Sequence, residues 1–161
     1  MTFSESVRTC LREKYATFSG RASRSEYWWY FLFIMLVYFA LIIVMGVFGG
    51  ATAAINPNMG NGDLENGLGM GMIISIILIG VFWLAVLLPS IAVVVRRLHD
   101  RNLSGWWYLG LILVGIVPII GPIVSLVGGI VFFVIMCLKG TDGPNKYGAD
   151  PLKGGEADIF S

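Results

Sequence analysis

Long apolar runs without charged residues alternate along this chain with short polar clusters that hold most of its charge. The first run, Tyr27 to Phe48, covers about 22 residues. As a helix it measures roughly 33 Å, enough to cross a hydrocarbon core of roughly 30 Å. A second uncharged run extends from about Gly71 to Val95, with Pro89 near its far end, where a kink is expected. The third, Trp106 to Leu138, covers about 33 residues and is broken at Pro118-Ile119-Ile120-Gly121-Pro122. It is too long for one ordinary span and short for two full ones with a turn. A hairpin of two short or tilted helices is expected there, with one long kinked helix as the competing arrangement.

The polar stretches frame these runs. Phe3, Val7, Cys10, Leu11, Ala16 and Phe18 follow largely the spacing of one helical face, and Thr2 to Glu5 reads as a capping box. Residues 1–26 are therefore expected to form an amphipathic arm on the membrane surface, with a helix from Thr2 to about Ser19 and Gly20 as its stop. Ser23 and Glu26 have the spacing of a second capping box, opening the span at 27–48. Tyr27, Trp28 and Trp29 there, and Trp106 and Trp107 at the next helix start, are expected interfacial anchors. Residues 49–70 form a Gly/Asn-rich connection with Asp63 and Glu65 but no Lys or Arg. Residues 96–105 make a polar joint, and 139–161 a tail dense in turn-forming residues, structured up to Pro151 and unstructured beyond.

Composition fits the pattern. Of 161 residues, 57% are hydrophobic and 13% charged, and mean hydropathy is +0.80. A soluble domain carries about 25% charged residues, so the bilayer is the expected solvent. The expected fold is an all-α integral membrane protein with an interfacial amphipathic helix, two clear transmembrane helices and a Pro/Gly-broken helical hairpin. The 11 Lys and Arg residues fall in the arm, the joint and the tail, and none lies between the first two spans. The positive-inside rule places the N-terminal arm and the joint in the cytoplasm and the 49–70 loop outside. A hairpin at 106–138 returns the tail to the cytoplasm too, and a single crossing leaves its lysines outside. No apolar segment followed by a small-residue cleavage site precedes Tyr27, so the first span is expected to direct insertion itself.

Chemistry-bearing motifs are few. Cys10 and Cys137 are far apart, and with one histidine they suggest neither a disulfide framework nor a zinc site. In the joint, Arg97 and Asp100 are three apart and Arg96 and Asp100 four apart, so either pair can share a helical face. His99 and Asp100 are adjacent and do not face each other, and no nucleophile is spaced to serve them, so no catalytic residue is assigned. Arg96, Arg97 and Arg101 also fit simple headgroup anchoring, offset by Asp100. Arg21 and Arg24, beside helix-start amides, have the makings of a phosphate site or of plain topogenic charge. Gly46-x-x-x-Gly50 and Ser125-x-x-x-Gly129 have the spacing that lets helices approach closely.

Three stretches occur in a specific order. They are Phe-x-Gly-Arg-x-x-Arg-x-Glu-Tyr-Trp at 18–28, Arg-Arg-Leu-His-Asp at 96–100 with Gly-Trp-Trp at 105–107, and Lys-Gly-Thr with Asn-x-Tyr-Gly-x-Asp-Pro at 139–151. In them the chain, from about Phe18 to Pro151, resembles the YhaH-like bacterial inner-membrane proteins of the domain-of-unknown-function 805 family. The resemblance implies a multi-span inner-membrane protein and supplies no activity, substrate or catalytic residue. The candidate sites for headgroup or partner binding are Arg21, Arg24, Glu26, Arg96, Arg97, His99, Asp100, Asn145, Tyr147 and Asp150. The expected function is a non-enzymatic module at the cytoplasmic face, without cofactor or metal. Its expected partners are the lipid bilayer, anionic headgroups or another membrane protein, and no nucleic acid. A small transporter or channel subunit is the alternative, since helices broken at proline expose backbone to substrates.

Overall fold

A computed structural model of the chain describes residues 1–55 and 70–152. Most of the Gly/Asn connection, with Asp63 and Glu65, and the tail beyond Leu152 lie outside the described residues. The protein is all-helical. Helix α1 spans Phe3–Arg8 and widens into a π-helical stretch at Thr9–Glu13. It is followed by α2 (Arg24–Ile55), α3 (Met70–Asp100), α4 (Trp106–Gly115) and α5 (Ile120–Cys137). Among the described residues no strand forms, and Asn145 and Gly148 make one isolated bridge.

Among the described residues, three stretches are long and apolar enough to cross a membrane: Arg24–Val47, Ile73–Asp100 and Ile120–Cys137. Helix α2 starts where its cap predicts, with the Glu26 amide donating to Ser23 Oγ at 3.2 Å. Helix α3 runs through Pro89, which is buried, and continues to Asp100. The first half of the expected joint is therefore helix. Basic groups in that last turn complement the exposed carbonyl end.

The third apolar run is a hairpin. Helix α4 has 10 residues and rises about 15 Å; α5 has 18 and rises about 27 Å. The two helices approach most closely at small residues. A Cβ on Gly128 would overlap Leu111, one on Gly115 would stand 2.8 Å from Ser125 Oγ, and one on Gly121 would stand 2.5 Å from the Gly115 carbonyl. Gly129, of the expected small-residue pair, faces open space. At the tip, the amides of Ile116, Val117, Ile120 and Gly121 donate to carbonyls of the same turn. Pro118 and Pro122 carry no amide to satisfy.

The chain divides into two compact units, Met1–Tyr30 with Leu88–Ser161, and Phe31–Leu87. The second comprises the remaining lengths of α2 and α3, where Tyr38 meets Phe82 edge-on at 5.3 Å. Its large apolar side chains, such as Phe39 and Leu84, are exposed. The first unit centres on Val94, Leu98 and Met136, with Tyr27, Trp28, Leu103, Tyr108, Phe132 and Ile135 packed around them. Its exposure pattern is inverted relative to a soluble domain: Arg96 and Arg97 are fully buried, while Ile119 is 86% exposed. That inversion suits a protein whose solvent is hydrocarbon.

The arm departs from expectation. Its capping box forms, the Glu5 amide on Thr2 Oγ1 and the Thr2 amide on Glu5 Oε2, but the helix ends at Glu13 instead of Ser19. Short helices persist where a face is packed. Ser6 and Cys10 are buried, whereas Ala16 and Phe18 beyond the end remain exposed. Gly20 adopts φ +84°, a left-handed turn that leads into the Ser23 cap instead of terminating α1.

Candidate functional site

The polar clusters of arm, joint and tail, separated by up to 122 residues, meet in the first unit. Asp100, at the end of α3, is the centre. Its Oδ1 accepts from Arg21 Nε at 2.9 Å and Arg21 Nη2 at 2.8 Å, and its Oδ2 accepts from Arg97 Nη1. Each arginine then spends its remaining N–H groups on the tail and α5. Arg21 donates to the carbonyls of Gly143 and Thr141, both at 2.6 Å. Arg97 donates to the carbonyls of Met136 at 3.2 Å and of Leu138. These are the carbonyls that the end of α5 leaves without helical partners. A planar guanidinium presents five donors in a fixed fork, so one arginine can tie three segments together.

The second pair lies on the neighbouring face. Arg96 Nη1 donates to Glu26 Oε1, and Cys10 Sγ sits 3.8 Å from that oxygen and 3.9 Å from Arg96 Nη2. Ser6 Oγ donates to the Glu26 carbonyl at 2.5 Å, fastening the arm to the start of α2. The Ala22 amide donates to the Arg96 carbonyl at 3.0 Å. Burial, with the Glu26 carboxylate as the next cause, pushes the Cys10 thiol up to about 12, so it stays protonated at neutral pH. Arg96 Nε is buried without a hydrogen-bond partner among the described residues.

The tail wraps the joint from the other side. Asn145 Nδ2 donates to the His99 carbonyl at 2.9 Å, and Thr141 Oγ1 to the Asp100 carbonyl at 3.0 Å. The His99 ring stacks on Tyr147 at 3.8 Å between centroids, with its Nδ1 3.2 Å from the Gly20 carbonyl. Asp150 accepts from the amides of Gly143 at 3.1 Å and Leu152 at 3.0 Å, locking the turn. Between Arg21, Arg97, Asp100 and Thr141 a cavity of ≈ 20 Å³ remains, room for about one water.

All ten candidate residues are thus brought together, in different settings. Arg21, Glu26, Arg96, Arg97, Asp100 and Asp150 are buried, His99, Asn145 and Tyr147 half-buried, and Arg24 exposed. Sequence spacing identifies the Arg97–Asp100 pair. It pairs Arg96 with Asp100, whereas Arg96 instead takes Glu26, whose carboxylate is thereby drawn away from closing the second capping box. Sequence reasoning misses Ser6, Cys10, Thr141 and Gly140 as parts of the site. A methyl group on Gly140 would overlap the Asp100 carboxylate, so only glycine lets the tail pass there. The Lys-Gly-Thr motif is the signal that marks it. Among the anchors, Trp28 packs edge-on against Phe133 at 5.6 Å and Tyr27 against Trp28 at 5.2 Å. Trp29 meets Phe3 of the arm at 5.9 Å, and Trp106 and Trp107 are widely exposed.

Comparison with known proteins places this architecture. The chain is 33% identical over 142 residues to "Inner membrane protein YhaI" of Escherichia coli (strain K12), covering 88% of this chain and 92% of that one. It is 32% identical over 139 residues to "Inner membrane protein YhaH" of the same organism, covering 86% and 90%. No solved structure matches. The family model described as "Protein of unknown function (DUF805)" matches residues 15–149, a range that contains both buried arginine pairs, the hairpin and the Asn145–Gly148 bridge of the tail. The chain therefore belongs to the DUF805 family and is a multi-pass inner-membrane protein in contact with the lipid bilayer.

Proposed function

We propose that the protein is a non-enzymatic membrane module that binds anionic lipid headgroups, or the acidic surface of a membrane partner, at its cytoplasmic face. The observation that carries this reading is the division of labour among its cations. The buried arginines are consumed internally and build a rigid platform from arm, joint and tail. Arg24, Lys139 and Lys146 remain exposed on the same unit. Basic groups near a membrane surface each contribute roughly 1 kcal/mol of attraction to anionic lipid. The candidate residues Arg21, Glu26, Arg96, Arg97, Asp100, Asn145 and Asp150 act in this reading by holding the platform. Arg24, with Tyr147 beneath Lys146 (4.9 Å from the ring centroid), stands at the contact.

The test is lipid selection by the full chain in nanodiscs of mixed zwitterionic and anionic phospholipid. Lipids retained on purification are identified by mass spectrometry. The wild-type chain is expected to enrich anionic lipid, and Arg24→Gln with Lys146→Gln to lower that enrichment at least twofold while the fold is kept. Equal lipid composition and equal co-purifying proteins for both chains would sink the reading.

A further inference from the structure

We propose that the groove along the two hairpin helices holds an acyl chain of an anionic phospholipid, with its headgroup over Arg101 and Lys139 at the hairpin's feet. The proposal rests on the headgroup reading above and gives it a ligand class and a seat. The groove has a volume of ≈ 730 Å³, within the range of roughly 300–1,000 Å³ typical of small-molecule sites. Its walls include Leu103, Trp107, Leu111, Val131, Phe132 and Ile135, and the one hydroxyl in the lining is Ser104, next to the joint. Two glycines make the space. Gly128 lets Leu111 settle against α5, and at Gly110 a Cβ would meet no atom within 4 Å. Gly110 therefore faces the groove and leaves it open.

An apolar trough of this size cannot hold ordered water, which needs two or more polar partners. Left empty, it would forfeit dispersion contacts along both helices. The groove lies in a segment without charge from Leu103 to Leu138, so hydrocarbon from the surrounding bilayer is the fitting occupant. Charge at the foot selects among lipids. Arg101 lies three residues before Ser104, and its guanidinium donates to the Lys139 carbonyl, which gathers two cations where α4 begins and α5 ends. Asp142 lies 2.8 Å from Lys139 Nζ, but both side chains are exposed, at 71% and 60%. Such a surface pair is weak and open to competition from a phosphate. Trp106 and Trp107, 77% and 69% exposed, flank the foot, and indole rings settle at headgroup depth.

The experiment uses the full chain in phosphatidylcholine vesicles doped with phosphatidylglycerol or phosphatidylcholine carrying a nitroxide along one acyl chain. Electron spin resonance reads the motionally restricted fraction. Gly110→Leu fills the groove and is expected to lower that fraction at least twofold for both lipids. Arg101→Gln with Lys139→Gln is expected to remove the preference for phosphatidylglycerol while the chain stays restricted. If Gly110→Leu does not fold, Gly110→Ala places its methyl in open space and is expected to give a smaller reduction. An unchanged restricted fraction in the folded groove variant overturns the proposal. So does a change in particle mass on Gly110→Leu, which would seat a second copy in the groove. Arg24→Gln with Lys146→Gln does not touch the groove, so its effect judges the headgroup reading independently of the acyl-chain seat.

Discussion

At the scale of single residues, the molecule is governed by buried charge. Arg96 and Glu26 lie at 0% and 2% exposure, and removing one member of such a pair leaves the other unpaired, at a cost of about 3–5 kcal/mol. Cys10 reports on this pair because it touches both members. With its thiol pushed up to about 12, about one molecule in 10⁴ carries a thiolate at pH 8. In a Cys137→Ser background, Cys10 is expected to react with iodoacetamide about a thousandfold more slowly than an ordinary thiol, its rate still climbing with pH above 9. Glu26→Gln removes the carboxylate that pairs with Arg96 and helps to raise the Cys10 thiol, and should raise that rate at least tenfold. Fast labelling of Cys10 in the Cys137→Ser chain, or no acceleration when Glu26→Gln is added, would contradict the docked arm. The sign for stability follows from the raised value. The buried thiol's contribution is whole below the ordinary thiol pKa, near 9, and is lost as pH rises through about 12. Of these residues, the sequence reveals Arg97 with Asp100, because helical spacing is local. Arg21–Asp100 and Arg96–Glu26 span 79 and 70 residues, and no periodicity records a pairing made by tertiary approach. Cys10 reads as one more apolar position on an amphipathic face.

At the scale of elements, the hairpin decides how the third apolar run meets the bilayer. Helix α4 rises about 15 Å, half of a roughly 30 Å core, and its tip is wholly apolar, with Ile116 73% and Ile120 58% exposed. Between Val114 and Val124 no side chain is polar, so a tip standing in water would expose several isoleucines at once. The tip is therefore expected to rest within the membrane. A cysteine at Ile119, with Cys10 and Cys137 replaced by serine, should resist membrane-impermeant maleimide added to intact cells and react once detergent is present. Labelling in intact cells would show a hairpin that emerges on the far side. The element pattern was legible from uncharged run length, from the helix caps at Thr2 and Ser23 and from the Pro-Ile-Ile-Gly-Pro break, since all three are local signals. Helix ends were less so. Helix α3 carries the first half of the joint as its last turn because Asp100 finds Arg21 and Arg97, and the arm ends early because Phe18 finds no packed surface. Both outcomes depend on partners that only the fold supplies.

At the scale of the whole molecule, the two ends of the third run determine the topology. The Thr141 amide donates to the Asp100 carbonyl at 2.9 Å, and the Ala22 amide to the Arg96 carbonyl at 3.0 Å. The basic segments at 8–24, 96–101 and 139–146 thus belong to one compact unit. A single crossing by residues 106–138 would set the tail roughly 30 Å from the joint, incompatible with those contacts. With Lys and Arg concentrated in these three segments, the prediction from the positive-inside rule is a cytoplasmic location for that side. A fusion after Ser161 to a reporter that folds only in the cytoplasm should be active, and a fusion to one that needs export should be silent. The same reporters inserted between Asp63 and Glu65 should give the opposite result. If Gly140→Val, which crowds the Asp100 carboxylate, frees the tail from the joint, the Ser161 fusion should still report the cytoplasm, because the hairpin returns the chain there whether or not the tail is docked. An exported tail in the wild-type chain would separate the motifs between the two faces and remove the shared platform on which the proposed binding function depends.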